Sequence, residues 1–312
     1  IFILLSLAMI FYYTSVFLKY FNIFRTEYFL ITLFGLLGMM IMISSQNMLL
    51  LYLGIELLSL SLYSVIAFNK NSLFSSEAAV KYYILGAISS GFLLFGISLI
   101  YGLTGSLNFN EIFIHIASFN ITNGIDNVQV IGLLFALIFI LISLSFKFGA
   151  APFHMWIPDV YHGSIITTTL LLSTIPKIAV FVILIKLLTN VFSGLFLFWA
   201  DMVIILSILS ILIGNIVAIS QTNIKRMLAY STIANIGFIL LGLSVGSIIG
   251  YKAAMFYTLT YVVTTIAAFG LLSQLICRNK PIENISDLSG LNSTSPFTAF
   301  LLMFILLSYI GI

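Results

Sequence analysis

The chain has 312 residues, of which 62% are hydrophobic and 7% are charged, with a formal net charge of +3 and a mean hydropathy of +1.22. A soluble domain carries about 25% charged residues, so this composition excludes a protein whose whole surface faces water. The basic residues form no tract, and we expect no nucleic-acid partner. The single cysteine, Cys277, excludes an intrachain disulfide framework and an all-cysteine iron–sulfur or zinc site.

Apolar stretches recur along the whole chain, and about 20 apolar residues in a helix cross a bilayer. We therefore predict an all-α fold: a polytopic transmembrane helical bundle that forms a single domain over residues 1–312, with phospholipids at its outer surface. No internal repeat is visible by eye. The predicted spans, about ten, are 1–18, 28–45, 48–68, 77–103, 129–149, 165–188, 196–219, 226–243, 253–276 and 296–312.

The loops differ in charge between the two sides of the predicted bundle. If successive loops alternate sides, seven basic residues fall on one side and only Lys252 falls on the other. We call the side with the seven the basic side and expect it to face cytoplasm or mitochondrial matrix. On the opposite side, the polar connection Thr104–Asn127 could hold a short interfacial helix at Glu111–Phe119. The seven are Lys19, Arg25, Lys70, Lys225, Arg226, Arg278 and Lys280.

Three charged residues are predicted to lie deep inside apolar spans: Glu56, Lys147 and Lys177. A charge at the centre of a bilayer costs about 2.5–3.5 kcal/mol on insertion scales. Such residues usually face a wet cavity or each other, and they mark ion and proton pathways. The three charges therefore favour a protein that moves protons or ions, or that is gated by them.

The segment Phe146–Gly163 (FKFGAAPFHMWIPDVYHG) predicts a broken helix. Proline lacks the N–H and clashes one turn back, so the helix should break near Gly149–Pro152. Transporters place ion sites at such breaks. Alternatively, the span ends here and Lys147 reaches the surface. His154 and Asp159 share the segment, and a single histidine is more often a structural residue than a proton relay.

Lys177 follows Pro176 with long apolar flanks on both sides, so its side chain cannot reach water along its own length. A buried amine can bind and release a proton near neutral pH, which a relay requires. Glu56 is the one carboxylate predicted at mid-membrane depth, and a neighbouring lysine would keep it ionised. Alternatively, Lys177 is permanently paired for packing. Lys81 follows Glu77 by one turn, and a surface ion pair explains it as well as a place in a proton path.

Five motifs, in order along nearly the whole chain, resemble the antiporter-like membrane subunits of respiratory complex I, of the NADH dehydrogenase subunit 2 or bacterial subunit N type. The chain has no dinucleotide fingerprint, P-loop or clustered cysteines, so any electrons would travel elsewhere. The motifs are GIELLSLSLY (Gly54–Tyr63), SSEAAVKYYILGAISSGFLLFGISLIYG (Ser75–Gly102), FKFGAAPFHMWIPDVYHGS (Phe146–Ser164), PKIAVF (Pro176–Phe181) and IKRMLAYSTIANIGF (Ile224–Phe238).

The resemblance implies a proton-translocating membrane-arm subunit of NADH:ubiquinone oxidoreductase, with other membrane-arm subunits of complex I as partners. By motif, Glu56 is similar to the family's gating glutamate, Lys147 to the lysine beside the broken helix, and Lys177 to the central relay lysine. With Lys81, these form the predicted set for proton translocation. We expect no cofactor and no metal in this chain. NAD, FMN, iron–sulfur clusters and ubiquinone are implied for other subunits.

The family has about fourteen helices, so the resemblance implies that the chain lacks the first spans and the C-terminal spans, including a further lysine. Tyr161–Thr168 (YHGSIITT) departs from the family pattern YxGSPTPV, which leaves the start of the sixth span open. Heavy use of Ile, Phe, Asn and Tyr indicates an AT-rich genome and favours the mitochondrial inner membrane over a bacterial plasma membrane. Two alternatives remain: a subunit of a multisubunit cation/proton antiporter or membrane hydrogenase, or a non-pumping subunit whose buried charges set helix register.

Overall fold

The computed structural model describes residues 1–118, 128–277 and 280–310, and helices dominate this part of the chain, as predicted. Nine helical stretches there are long and apolar enough to cross a membrane, and a shorter apolar helix follows them. The helices are α1 (Phe2–Tyr20), α2 (Thr26–Ser44), α3 (Met48–Ile66), α4 (Leu73–Thr104), α5 (Phe109–Ser118), α6 (Val128–Phe148), α7 (Trp156–Gly163), α8 (Ile166–Ser173), α9 (Ile175–Lys186), α10 (Phe196–Ile219), α11 (Ile224–Ser244), α12 (Ile248–Gln274), α13 (Leu291–Thr294) and α14 (Pro296–Ile310).

Asparagine side chains fix the starts of two helices that carry the site. Asn47 precedes α3 and its side chain accepts the N–H of Leu49 at 2.8 Å. Asn223 precedes α11 and accepts the N–H groups of Lys225 at 3.0 Å and Arg226 at 3.2 Å. The first turn of a helix has no backbone partner for its N–H groups, so these side chains stabilise the helix start.

Glycines allow neighbouring helices to approach closely. A Cβ atom on Gly38 of α2 would lie 2.7 Å from the backbone nitrogen of Leu58 and 2.8 Å from the carbonyl oxygen of Gly54, both in α3. On Gly214 of α10 it would lie 2.6 Å from the backbone nitrogen of Ala234 in α11. Lipid offers no hydrophobic drive between helices, so close van der Waals packing at small residues holds these pairs together.

Two helix starts in the structure show the local arrangement expected of an inverted repeat, which is not visible by eye in the sequence. An antiparallel backbone bridge joins Asn47 to Asn108, and a second joins Asn223 to Asn284 at the same spacing along the chain. Each bridge stands at the start of a capped helix, α3 or α11, that packs on the helix before it. The second bridge lies at the basic side, whereas the first lies at the opposite side, so the two units have opposite orientation. Inverted repeats of this kind are common in transporters.

The two polar connections contain short elements. The predicted interfacial helix is confirmed as α5, which buries Phe109, Ile112 and Ile116 and exposes Ile114. Residues 119–127 of that connection lie outside the described residues. At the basic side, strands β1 (Ile276–Cys277) and β2 (Lys280–Pro281) pair antiparallel, and a 3₁₀ turn (Ile285–Leu288) and α13 lead to α14.

The sixth predicted span, 165–188, is confirmed as the apolar stretch Ile166–Val191, which is long enough to cross a membrane but is not one continuous α-helix. Thr174 interrupts it with φ −116° and ψ −85°, which separates α8 from α9. Pro176 is the physical reason, since it lacks an N–H and its ring clashes with the preceding turn. A π-helical turn (Leu187–Val191) and a 3₁₀ turn (Ser193–Leu195) then lead into α10. Lys177, predicted to stand mid-way along the span, lies in the first turn of α9.

Candidate functional site

The first break, between α6 and α7, is held open by specific contacts. Gly149 has φ +91°, and a Cβ atom there would lie 2.1 Å from Cδ1 of Ile157. The N–H of Ala151 donates to Oγ of Ser210 in α10 at 2.8 Å. The predicted break near Gly149–Pro152 is therefore confirmed as non-helical. Its burial is confirmed for Gly149 to Ala151, whereas Pro152 is exposed on the surface of the chain.

Lys147, the last residue but one of α6, is buried and its Nζ donates to Oγ of Ser59 in α3 at 2.7 Å. Ser59 lies one turn after Glu56, so the serine and the carboxylate share one face of α3. No ion pair within 4.0 Å joins Lys147 and Glu56 in the described residues. Oε1 of Glu56 is buried and has no hydrogen-bond partner among those residues. Ser59 therefore binds Lys147, while its own hydroxyl donates to the carbonyl oxygen of Ile55 at 2.7 Å.

Lys177 is 1% exposed and binds the carbonyl groups that the first break sets free. Its Nζ donates to the carbonyl oxygen of Phe148 at 2.6 Å and lies 3.3 Å from that of Lys147. The last carbonyl groups of a helix have no partner in the helix and carry partial negative charge, so an ammonium group stabilises them. Within the described residues, Lys177 forms no ion pair with a carboxylate. Neutral groups alone hold this charge.

Aromatic rings lie close to the ammonium groups of Lys147 and Lys177. Nζ of Lys177 lies 4.9 Å from the ring centroid of Trp156. The indole Nε1 donates to the carbonyl oxygen of Phe146 at 2.9 Å, and the indole stacks on Tyr82 at 4.4 Å between centroids. A cation over an aromatic face is stabilised by the ring quadrupole. Trp156 thus contributes a second neutral contact to Lys177.

Lys81 lies apart from the buried lysines, at the basic side. Its Nζ is 2.8 Å from Oε1 of Glu77 and 3.0 Å from Oδ2 of Asp159, and its side chain is 45% exposed. Asp159 also binds Nη1 of Arg226 at 2.9 Å. These residues and His162 line a cavity of about 160 Å³ where α4, α7 and α11 meet. The structure therefore gives Lys81 ion pairs and leaves its place in a proton path a prediction.

The positions of Lys225 and His154 differ from what the sequence suggested. Lys225 was assigned to a basic loop, but it is the second residue of α11, is 6% exposed, and donates to the carbonyl oxygen of Ser164 at 2.9 Å. His154 is half-buried beside Tyr230, and its Nδ1 has no partner among the described residues. No group of three or more His, Cys, Asp or Glu that could hold a metal ion occurs in that part of the chain.

Sequence reasoning missed Ser59 and Trp156, which contact Lys147 and Lys177, and Tyr261, whose hydroxyl donates to the carbonyl oxygen of Ser173. Ser59 follows Glu56 at helical spacing, so its position on the same face was readable. Trp156 lies inside the motif that predicted the first break, but nothing local aims its ring at Lys177. Tyr261 is far away in the sequence and carries no local signal.

The chain resembles known proteins over nearly its whole length. The family described as "NADH:quinone oxidoreductase/Mrp antiporter, TM" matches residues 45–312. The NADH-quinone oxidoreductase subunit N of Thioalkalivibrio sulfidiphilus is 50% identical over 306 residues, which cover 98% of this chain and 62% of that protein. The chain thus spans about three fifths of the length of the curated relatives it matches.

Solved structures of two respiratory membrane complexes share this fold. A chain of respiratory complex I from Thermus thermophilus with bound aureothin is 32% identical, with a TM-score of 0.79, and the match covers 100% of this chain and 64% of that one. A chain of the membrane-bound sulfane sulfur reductase, an archaeal respiratory membrane complex, is 27% identical, with a TM-score of 0.82, over 100% of this chain and 63% of that one.

Proposed function

Because the chain belongs to the transmembrane family of NADH:quinone oxidoreductase and Mrp antiporter subunits, we propose that it moves protons in the membrane arm of a respiratory NADH:quinone oxidoreductase. One observation carries the proposal: Lys177 is fully buried and held by carbonyl groups and a ring, without a carboxylate in the described residues. A lysine used only for packing would gain from a permanent ion pair, whereas a relay must be able to lose its charge.

The proposed path starts at Glu56 and runs through Lys147 to Lys177. Lys147 donates to Ser59, one turn after Glu56, and Lys177 donates to the carbonyl groups of Lys147 and Phe148. A carboxylate near an ammonium group stabilises its charge, so a change in the separation of Glu56 and Lys147 changes how readily Lys147 releases its proton. A proton released from Lys147 can pass to Lys177, and the two lysines then carry the charge alternately.

The partners and the compartment follow from the same assignment. We propose other membrane-arm subunits as neighbours, and NAD, FMN, iron–sulfur clusters and ubiquinone as groups of other subunits. The mitochondrial inner membrane stays a prediction. The subunit N of Thioalkalivibrio sulfidiphilus and the complex I of Thermus thermophilus are bacterial, so a bacterial plasma membrane is the compartment that agrees with them. The antiporter or hydrogenase alternative has less support, since identity falls from 50% for subunit N to 27% for the sulfane sulfur reductase complex.

Substitution of Lys177 in the complete complex tests the proposal. We expect Lys177→Met to preserve assembly but to lower proton uptake and the coupled NADH:quinone activity by about 100-fold or more, since one proton-transfer group typically contributes about 10²–10⁴-fold. Lys177→Arg should be impaired as well, because a guanidinium group does not release its proton. The measurements are quinone-dependent NADH oxidation and proton uptake by proteoliposomes of the purified complex.

Lys186→Met is the matched control. Lys186 lies at the other end of α9 and also donates to backbone carbonyl groups, those of Ile43 and Ser45, so its loss removes the same kind of contact outside the proposed path. We expect this variant to pump protons normally. Normal pumping by both Lys177 variants would contradict the proposal and favour the structural alternative.

A further inference from the structure

The second break, at Thr174, frees carbonyl groups at the end of α8. The Thr174 hydroxyl donates to the carbonyl oxygen of Leu170 at 2.7 Å, and the Thr174 N–H donates to that of Leu171 at 3.4 Å. The carbonyl of Ser173, the last residue of α8, accepts a hydrogen bond from the Tyr261 hydroxyl at 3.0 Å. A residue 88 positions later in the chain therefore completes the end of α8.

Tyr261 lies in α12 and is only 4% exposed. Its hydroxyl also lies 3.2 Å from Oγ1 of Thr232 in α11. The Thr232 hydroxyl donates its own proton to the carbonyl oxygen of Leu228 at 2.9 Å. Tyr261 is therefore the donor in both of its contacts, and its single proton is shared between the Ser173 carbonyl at 3.0 Å and Thr232 at 3.2 Å. A buried hydroxyl or carbonyl group without a partner is costly, so this contact fixes the end of α8 against α11 and α12.

The position of that helix end determines where Lys177 stands. The N–H of Lys177 donates to the carbonyl oxygen of Thr174 at 3.1 Å, so the break residues set the start of α9. From there the Lys177 side chain reaches the carbonyl oxygen of Phe148. A displacement of the break that is small compared with the length of this hydrogen bond would remove the contact between Lys177 and Phe148. Hydrogen bonds weaken steeply as their distance and angle depart from the preferred values.

A second contact continues from Tyr261 to the C-terminal helix. The Thr265 hydroxyl, one turn later in α12, donates to the carbonyl oxygen of Tyr261 at 2.7 Å. The Tyr309 hydroxyl in α14 donates to Oγ1 of Thr265 at 3.1 Å. The contacts therefore form one connected line from α14 through α12 to the break that carries Lys177.

We infer that Tyr261 is a positioning residue for Lys177, and that Thr265 and Tyr309 extend this support to α14. The inference rests on the proposed function, because it assigns Tyr261 a role in the relay at Lys177. Tyr261 itself transfers no proton in this scheme. Its hydroxyl holds the Ser173 carbonyl, and the ring keeps its place in the core.

The test is Tyr261→Phe in the complete complex, with Lys177→Met as reference and Tyr257→Phe as control. Tyr257 lies one turn earlier in α12, and its hydroxyl donates to Oδ1 of Asn235 at 2.6 Å, away from the break. We expect Tyr261→Phe to assemble normally but to lower proton uptake per NADH oxidised by roughly five-fold, the equilibrium weight of one lost buried hydrogen bond. The pH profile of the activity should shift, which a purely structural role would not cause. Tyr257→Phe should match the wild type.

The outcomes separate the two claims. If Lys177→Met pumps normally, the proposed function fails, whatever Tyr261→Phe does. If Lys177→Met is impaired while Tyr261→Phe keeps the wild-type uptake and pH profile, the inference on Tyr261 is overturned. If Tyr261→Phe does not assemble, Tyr309→Phe decides, since it removes only the outer hydroxyl. A shifted pH profile in Tyr309→Phe supports the connected line, and a wild-type profile overturns it.

Discussion

At the scale of single residues, the site depends on uncharged groups that hold charged ones. The Ser59 hydroxyl oxygen accepts a hydrogen bond from the ammonium group of Lys147. The Phe148 carbonyl oxygen accepts one from the ammonium group of Lys177. Direct ion pairs occur instead at the basic side, where Lys81 and Arg226 bind Asp159. An ammonium group held by neutral partners can lose its proton without leaving an unpaired carboxylate behind, so this arrangement suits proton transfer better than a buried ion pair.

Ser59→Ala tests the role of the serine that accepts a hydrogen bond from Lys147, one turn after Glu56. A hydrogen bond to a charged group contributes about 1.5–3 kcal/mol, so its loss should displace the Lys147 side chain and lower proton uptake by at least about ten-fold. Ser61→Ala is the control, because Ser61 lies on the same helix and donates only to the carbonyl oxygen of Leu57 at 2.8 Å. Equal proton uptake in the two variants would show that Ser59 is dispensable. Proton uptake by proteoliposomes is the measurement.

At the scale of secondary structure, two broken helices carry the buried lysines Lys147 and Lys177. The first break ends α6 after Lys147, and the second starts α9 just before Lys177. Each lysine therefore lies where a helix has unsatisfied backbone groups. The two breaks differ in where the proline stands. Pro152 follows the end of α6 by a few residues, whereas Pro176 lies in the first turn of α9, just after the second break. The sequence predicted the first break because Gly149 and Pro152 occur together.

Gly149→Ala tests whether the geometry of the first break matters. The φ of +91° is unfavourable for alanine, and the added Cβ would collide with Ile157 and crowd Nζ of Lys177 at 3.2 Å. We expect the melting temperature of the complex to fall, since a non-glycine residue in such a conformation costs about 1–3 kcal/mol, and proton uptake should fall with it. Gly91→Ala in α4 is the control, because a Cβ there meets nothing within 4 Å. A Gly149→Ala variant as stable and active as Gly91→Ala would refute this account.

At the scale of the whole molecule, an ion-pair network joins three helices that are distant in the sequence. Asp159 of α7 binds Lys81 of α4 and Arg226 of α11 at the basic side. Single exposed ion pairs contribute little to stability, but one carboxylate shared by two cations fixes the second half of the broken helix against both neighbours.

A double-mutant cycle distinguishes the two interpretations of Lys81. If Lys81 only forms ion pairs, Lys81→Met and Asp159→Asn should each lower thermal stability by about 1 kcal/mol or less, and the double variant should be less destabilised than their sum. Proton uptake should then stay near normal in all three. If Lys81 carries protons, Lys81→Met should lose uptake while Asp159→Asn retains most of it. Thermal unfolding and proton uptake of the same complex preparations give both readouts.

The sequence by itself determined the all-α membrane fold, the places of most helices, the first break and the three deep charges, because apolar length and proline chemistry are local properties. It located Glu56, Lys147 and Lys177, but it did not determine their partners. Tertiary structure alone decided that Ser59 binds Lys147, that backbone carbonyl groups hold Lys177, and that Tyr261 donates to the end of α8. Such contacts join helices whose relative placement depends on packing over the whole bundle, which no local pattern encodes.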